Sequence, residues 1–191
     1  MNGDRDIDTG RSASDYPNLL RRIGGLTTTQ YAIGLISVCA IGLIFRAVNI
    51  NSEPFWMDEA FSYYAARNSV STIVFGRIDN HPPLFYLIQH FWQSFFPSQE
   101  MMRVPALFAG ILTIAVTGLM GADLLNRSAG LAAALIVALS ASQIYFSLDT
   151  RMYTLIALGC SLATWGGAGL TRRMDRTYYI LYILGAAVAI Y

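Results

Sequence analysis

Long runs without a charged residue are the feature that most limits how this chain can fold. The first covers residues 24–45, three more cover 104–122, 128–148 and 152–171, and a last one begins at residue 177. A helix rises about 1.5 Å per residue, so a run of roughly 20 residues crosses a hydrocarbon core of about 30 Å. Of the 191 residues, 54% are apolar and only 13% are charged, which is typical of a polytopic membrane protein. The sequence therefore predicts an all-α membrane helical bundle with about five spanning helices.

The segments around these runs indicate how the bundle is arranged. Residues 1–23 combine aspartate and arginine with small polar residues, which predicts a disordered cytoplasmic tail. The first run lacks a cleavage signal and should remain as an anchor. Later runs are joined by short turns, so their helices should be antiparallel neighbours. Gly159, Ala163 and Gly167 recur every four residues and would let two backbones approach closely.

Arginines in the short loops predict the orientation. Arg21 and Arg22 precede the first run, Arg127 follows the second, and Arg172, Arg173 and Arg176 follow the fourth. All of them fall on one side, which is cytoplasmic by the positive-inside rule. The loop 46–103 and the turn 147–151 are then external, in a multi-pass protein of the cell membrane. A net charge of only +1, with no arginine-rich block, argues against nucleic acid as a partner.

The external loop mixes charged residues with many aromatic ones, as segments at a membrane–water interface do. Two amphipathic stretches, about 58–68 and 82–96, predict two helices that lie along the membrane surface. The second begins at Pro82 and Pro83, whose missing N–H groups cost nothing in a first helical turn. These helices would hold the polar residues of the loop against the membrane lipids.

Two adjacent acids in this loop, Asp58 and Glu59, are the first candidates for chemistry. On a helix they project about 100° apart, so only one can point squarely into a site. The alternative is that Asp58 caps the helix that follows it, while Glu59 favours the first turn through the helix dipole. His81 is a further candidate, or else an interfacial residue that orders the turn before the two prolines.

Two arginines at helix ends, Arg103 and Arg151, are candidates for binding an anion. Both could instead extend to lipid headgroups. Arg151 shares a short connection with Asp149 and Tyr153, where a structural Asp149–Arg151 pair is the alternative explanation. The two cysteines each lie within an apolar run, and no disulfide framework or metal site can be built from them. The sequence predicts no cofactor.

Four motifs follow one another in a fixed order. They are Trp-Met-Asp-Glu-Ala-Phe-Ser from residue 56, His-Pro-Pro-Leu-Phe-Tyr from 81, Met-Arg-Val-Pro-Ala-Leu-Phe-Ala-Gly from 102, and Phe-Ser-Leu-Asp-Thr-Arg-Met-Tyr-Thr-Leu from 146. In this order, between these hydrophobic runs, they resemble the N-terminal part of GT-C glycosyltransferases. The likeness is to the family 39/83-like group of protein O-mannosyltransferases, aminoarabinose transferases and rhizobial lipopolysaccharide glycosyltransferases. It extends over about residues 28–191, so 24–191 would be the N-terminal part of such a transmembrane domain.

This resemblance implies a reaction. The donor would be a polyprenyl-phosphate-linked sugar, and the acceptor would be a hydroxyl of a lipid, a glycan or a protein. By the resemblance, Asp58 would be the general base that takes the acceptor proton. Glu59 would orient the acceptor or the loop, and His81 would support the same site.

The resemblance also implies roles for the later motifs. Arg103 and Arg151 would face the lipid phosphate, with Asp149 and Tyr153 beside them as substrate-binding residues. The chain has Leu148-Asp149-Thr150 where Gln-Glu-Ala is usual, which keeps the charge but shortens its reach. Members of the family have more spanning helices, so this chain is expected to be an N-terminal part whose own activity is incomplete.

The reaction is physically coherent, because displacing a lipid phosphate needs a base on one side of the sugar and cations on the other. A single displacement with inversion is expected. The alternative is a non-catalytic accessory or scaffold protein, or an inactive fragment, whose loop binds a lipid phosphate or a partner. A transporter is disfavoured because the uncharged runs look unbroken and the acids lie in loops.

Overall fold

The computed structural model describes residues 25–191, except 51–53, 77 and 80. The predicted tail, residues 1–23, lies outside this part. All regular secondary structure of the described residues is helical. The elements are α1 (Thr28–Ala47), α2 (Met57–Ala65), α3 (Val70–Phe75), α4 (Leu84–Phe95), a 3₁₀ helix (Gln99–Arg103), α5 (Val104–Leu124), α6 (Arg127–Leu139), α7 (Ala141–Ser147), α8 (Tyr153–Leu170) and α9 (Arg176–Ile190).

Three helical segments are long and apolar enough to cross a membrane: Thr28–Ala47, Met101–Leu124 and Tyr153–Leu170. A fourth span exists if α6 and α7 are counted as one, although they meet at a bend of 60°. The apolar helix α9 is shorter. The structure therefore supports three or four candidate spans within its described residues, whereas the sequence predicts about five.

The third uncharged run is not one helix, contrary to the sequence interpretation. It breaks at Ser140, which has an extended backbone (φ −64°, ψ 119°). Such a break leaves carbonyl groups at the end of α6 without helical partners. Arg46, in the last turn of α1, donates from Nη1 to the Ala138 carbonyl at 3.1 Å and from Nε to Ser147 Oγ at 3.0 Å. A fully buried arginine thus bridges the two halves of the broken run.

Helices α8 and α9 pack backbone against backbone. A Cβ atom on Gly159 would lie 2.5 Å from the Ala189 nitrogen, and one on Gly185 would lie 2.2 Å from the Ala163 nitrogen. Gly166 is equally constrained, at 2.4 Å from the Tyr182 nitrogen. Close approach through small residues is therefore confirmed at Gly159 and Ala163. Farther along α8 the contact uses Gly166, seven residues on, rather than the predicted Gly167, because two turns of helix return to the same face after about seven residues.

The loop between α1 and α5 folds onto one end of the bundle. Its helices α2, α3 and α4 share a small apolar cluster that also includes a residue just before α8: Ala65, Ile73, Phe85, Tyr86 and Met152. Two of these helices fall where the sequence predicts amphipathic stretches, and the short α3 between them was not predicted. Whether these helices lie along a membrane surface stays a prediction. The cluster anchors the loop beside the α7–α8 connection, where the site is found.

Candidate functional site

Glu59 is the centre of the site. It lies in the first turn of α2, and its carboxylate accepts from the backbone N–H of Trp56 at 3.4 Å, which closes the helix start. The side chain is completely buried. Arg103 donates to it from Nε at 2.7 Å and from Nη2 at 2.6 Å. This bidentate geometry, with two parallel N–H···O bonds, is the strongest form of arginine–carboxylate pairing.

The same carboxylate also binds the α7–α8 connection. Thr150 donates to it from the backbone N–H at 3.0 Å and from Oγ1 at 3.1 Å. Arg103 in turn donates to the carbonyls of Ile50 at 2.7 Å and Pro54 at 3.4 Å. Three distant segments therefore meet at one buried ion pair, and both partners are occupied by the protein itself. In this structure Glu59 holds the loop in place, and the guanidinium of Arg103 is turned toward protein acceptors.

Asp58 has a different environment from its neighbour. The interpretation of Asp58 as the N-cap is wrong, because Trp56 occupies that position and Asp58 is the second helical residue. It is only half-buried. Its negative charge contributes to raising the pKa of both Asp149 and Tyr86. Asp58 thus lies within electrostatic range of Asp149 and Tyr86.

Asp149 is a buried acid with a perturbed pKa. Burial raises its pKa from 3.8 to about 6, and the negative charge of Glu59 adds to this shift. A hydrogen bond from the Trp56 side chain and the charge of Arg151 act in the opposite direction. One carboxyl oxygen, Oδ1, is buried without a hydrogen-bond partner among the described residues. An acid that titrates near neutral pH, beside other charges, is a physically motivated candidate for a functional site.

Arg151 is buried as well, so it does not extend to lipid headgroups in this structure. Its Nε has no hydrogen-bond partner among the described residues. Its charge lowers the pKa of Asp149 and of Tyr86. No Asp149–Arg151 ion pair within 4.0 Å is found in the described part of the chain. Tyr153, two residues on, is exposed, and its ring centroid lies 4.8 Å from that of Phe146.

His81 belongs to a polar group on α4 and the turn before it. The hydroxyl of Tyr86 donates to Asp79, and His81 Nδ1 lies 3.6 Å from the other oxygen of that carboxylate. Burial and the bond to Asp79 raise the pKa of Tyr86 well above its usual range. His81 itself is exposed. Sequence reasoning missed Tyr86 and Asp79, although the motif containing His81 ends on Tyr86.

A cavity of about 320 Å³ opens beside the central ion pair. Its lining residues include both members of that pair, Asp149 and two aromatic side chains: Asn49, Pro54, Trp56, Glu59, Arg103, Tyr145, Leu148 and Asp149. Asp58 and Arg151 are not among the described residues that line it, but both affect the pKa of Asp149, which does line it. No cluster of three metal-ligating side chains occurs in the described part of the chain. The site thus consists of this cavity and the neighbouring charged residues Asp58 and Arg151, and Asp149 belongs to both parts.

Fold and site together define a helical protein with membrane-spanning candidates and a buried charged centre at one end of the bundle. Comparison of the chain with protein-family models, curated proteins and solved structures found no match.

Proposed function

We propose that the protein is a membrane glycosyltransferase that moves a sugar from a polyprenyl-phosphate donor to an acceptor hydroxyl. The observation that carries the proposal is the environment of Asp149, whose pKa is raised to about 6. Asp149 lines a cavity with polar and aromatic walls. It also lies within electrostatic range of the half-buried Asp58 and the buried Arg151. The order of the four motifs along the chain supports the same reaction class.

Asp58 is the proposed base. Glu59 already accepts hydrogen bonds from Arg103 and Thr150, so it has little capacity to take up a proton from a substrate. Asp58 is partly accessible and lies within electrostatic range of the same centre. In the reaction the acceptor oxygen attacks the anomeric carbon and its proton passes to the Asp58 carboxylate. The bond from that carbon to the phosphate oxygen breaks, and its electron pair leaves with the lipid phosphate.

Arg151 is the proposed partner of the leaving phosphate. Its buried guanidinium retains an unused Nε, and a fixed cation stabilises charge that develops in the transition state. Arg103 supports the site indirectly, because its pair with Glu59 fixes the start of α2. Tyr153 and His81 would complete the binding of the donor at the edge of the site.

The membrane setting is part of the proposal. Large apolar side chains are exposed on the loop helices as well as on α1, among them Phe75, Phe91 and Phe95, and such surfaces are stable against lipid. We propose that α3 and α4 lie against the external leaflet, where a lipid-linked donor would meet the site. The loop and the α7–α8 connection share one end of the bundle through the Glu59–Thr150 bonds.

A non-catalytic accessory protein is the second candidate. It is favoured by the full engagement of Glu59 and Arg103 in structural contacts, because a scaffold needs this ion pair but has no use for an accessible base. The two candidates differ in what they require of Asp58.

Deletion of the gene followed by complementation separates them. We expect mass spectrometry of surface glycans to show one sugar missing in the deletion strain, restored by the wild-type chain but not by Asp58→Asn. The matched control is Asp175→Asn at the opposite end of the bundle, where the aspartate caps α9 and asparagine caps about as well. An unchanged glycan profile on deletion contradicts the proposal. Restoration by Asp58→Asn at equal expression favours the accessory candidate.

A further inference from the structure

The cavity wall contains a buried carboxyl that takes no part in the proposed proton transfer or in binding the leaving phosphate. Asp149 lines it and is only 5% exposed, yet its Oδ1 has no hydrogen-bond partner among the described residues. The other charged residues in the lining, Glu59 and Arg103, bind each other. Asp149 therefore contributes an open acceptor to the cavity wall, and a buried acceptor left without a donor costs free energy.

Two aromatic side chains in the lining have uncovered surface. Trp56 is 48% exposed and Tyr145 is 57% exposed. The Trp56 side chain lies beside the Asp149 carboxyl, whose pKa it lowers. Trp56 thus supplies an aromatic face, and Asp149 supplies a hydrogen-bond acceptor beside it.

The size and charge of the cavity limit what it can bind. Its volume of about 320 Å³ is near the lower end of the roughly 300–1,000 Å³ found for small-molecule sites, which suits one ring rather than a chain of rings. The charge of Arg103 is balanced by Glu59, and the remaining charged group in the lining is a carboxyl. The cavity therefore disfavours an anionic ligand.

We propose that this cavity binds one neutral pyranose ring, with the C–H face of the ring on Trp56 and a ring hydroxyl donating to Asp149 Oδ1. A pyranose has an apolar face and a polar edge, which matches an aromatic wall beside a carboxylate. The inference rests on the proposed function, because in a transferase this ring is the sugar that is moved. It assigns Asp149 to sugar binding, and it predicts that a uronic acid is rejected.

Saturation-transfer NMR on the full chain in lipid nanodiscs tests the inference without requiring turnover. The probes are the methyl glycosides of glucose, mannose and galactose, with methyl glucuronide as the anionic counterpart and empty nanodiscs as the blank. We expect at least one neutral glycoside to bind, with transfer strongest to the protons of one ring face, and methyl glucuronide to bind at least tenfold more weakly.

Variants assign the contacts. Asp149→Asn should weaken binding several-fold, since an amide replaces a charged acceptor, and Asp149→Leu should weaken it by tenfold or more. Trp56→Ala should also weaken glycoside binding by tenfold or more, whereas Trp165→Phe at the other end of the bundle should leave binding unchanged. Thermal unfolding of each variant shows that it is folded. Wild-type binding by folded Asp149→Leu, or equal binding of the glucuronide, overturns the inference.

The outcomes also separate this inference from the proposed function. If neutral glycosides bind through Trp56 and Asp149 but no sugar transfer is ever detected, the sugar site stands and the transferase proposal fails. If transfer occurs and no glycoside binding depends on these two residues, the transferase proposal stands and the sugar lies elsewhere. Absence of glycoside binding in the folded wild-type chain contradicts the sugar site directly.

Discussion

Glu59→Gln is the perturbation that best tests how the site is held together. The substitution keeps the size of the side chain but removes its charge, and one carboxylate oxygen becomes an N–H₂ group. That group faces the donors of Arg103, which approach to 2.7 Å and 2.6 Å. A buried guanidinium is then left without its counter-charge.

The size of the effect follows from these contacts. Removing one partner of a buried ion pair costs about 3–5 kcal/mol, because the remaining charge is uncompensated. Arg103 keeps the carbonyls of Ile50 and Pro54, and the remaining amide oxygen can still accept from Thr150, so the lower half of this range is expected. The loss of free energy weakens the packing of the loop between α1 and α5 on the bundle. The α8–α9 contact is not affected, since it involves neither Glu59 nor Arg103. At about 1.4 kcal/mol per tenfold change, this corresponds to roughly a hundredfold or more in the opening equilibrium of α2.

Hydrogen–deuterium exchange in nanodiscs measures this opening segment by segment. We expect faster exchange in α2 and around Thr150, and unchanged exchange in α8 and α9. Arg173→Gln is the matched control, because it removes an exposed arginine (72% exposed) whose Asp123 partner is 3.9 Å away, and such pairs contribute about 1 kcal/mol or less. A double Glu59→Met, Arg103→Met variant should recover part of the loss. Wild-type exchange of α2 in Glu59→Gln would refute the idea that this pair holds the loop.

Three further predictions concern other parts of the molecule. Arg46→Met removes the donor to the Ala138 carbonyl at the α6–α7 break. We expect thermal unfolding to show that the free energy of unfolding falls by about 1–3 kcal/mol, and by less for Arg46→Lys. An unchanged midpoint would mean that the break needs no capping. Because the pKa of Asp149 is raised from 3.8 to about 6, its contribution to stability is fully present below pH 3.8 and is lost as the pH rises through about 6. Unfolding measured over this interval should therefore vary less with pH in Asp149→Asn, and equal pH dependence would contradict the assignment. A cysteine at Ser71, in a chain without Cys39 and Cys160, should react with an impermeant maleimide in intact cells, and reaction only after lysis would reverse the orientation.

The helical architecture was largely predictable, because uncharged runs report directly on helices that can cross a membrane. Candidate spans are found near three of the predicted runs. The break in the 128–148 run was not predictable from its own residues, since Ser140 is neither glycine nor proline. It is bridged by Arg46, which is 92 residues away from Ala138 in sequence. A local pattern carries no information about a partner so distant.

The sequence indicated several residues that the structure brings together, but not how they pair. Sequence reasoning selected Glu59, Arg103, Asp149 and Arg151, and the structure brings them to one end of the bundle. It did not indicate that Glu59 and Arg103 would bind each other, because their partners are set by how the loop folds onto the bundle. The cap at Trp56 was missed for a related reason, since tryptophan is not a capping residue and this helix start is closed by Glu59 instead.

The most direct test of the central claim is sugar transfer in membranes of the deletion strain to which the chain has been restored. These membranes hold the unused lipid-linked donor, the unmodified acceptor and any other membrane component that completes the site, and the readout would be the release of polyprenyl phosphate. We expect the wild-type chain to release it about a hundredfold to ten-thousandfold faster than Asp58→Asn, because an amide cannot accept the acceptor proton. Equal rates for the two chains, or no release by folded wild-type protein with its donor present, would contradict the claim that this site transfers sugar.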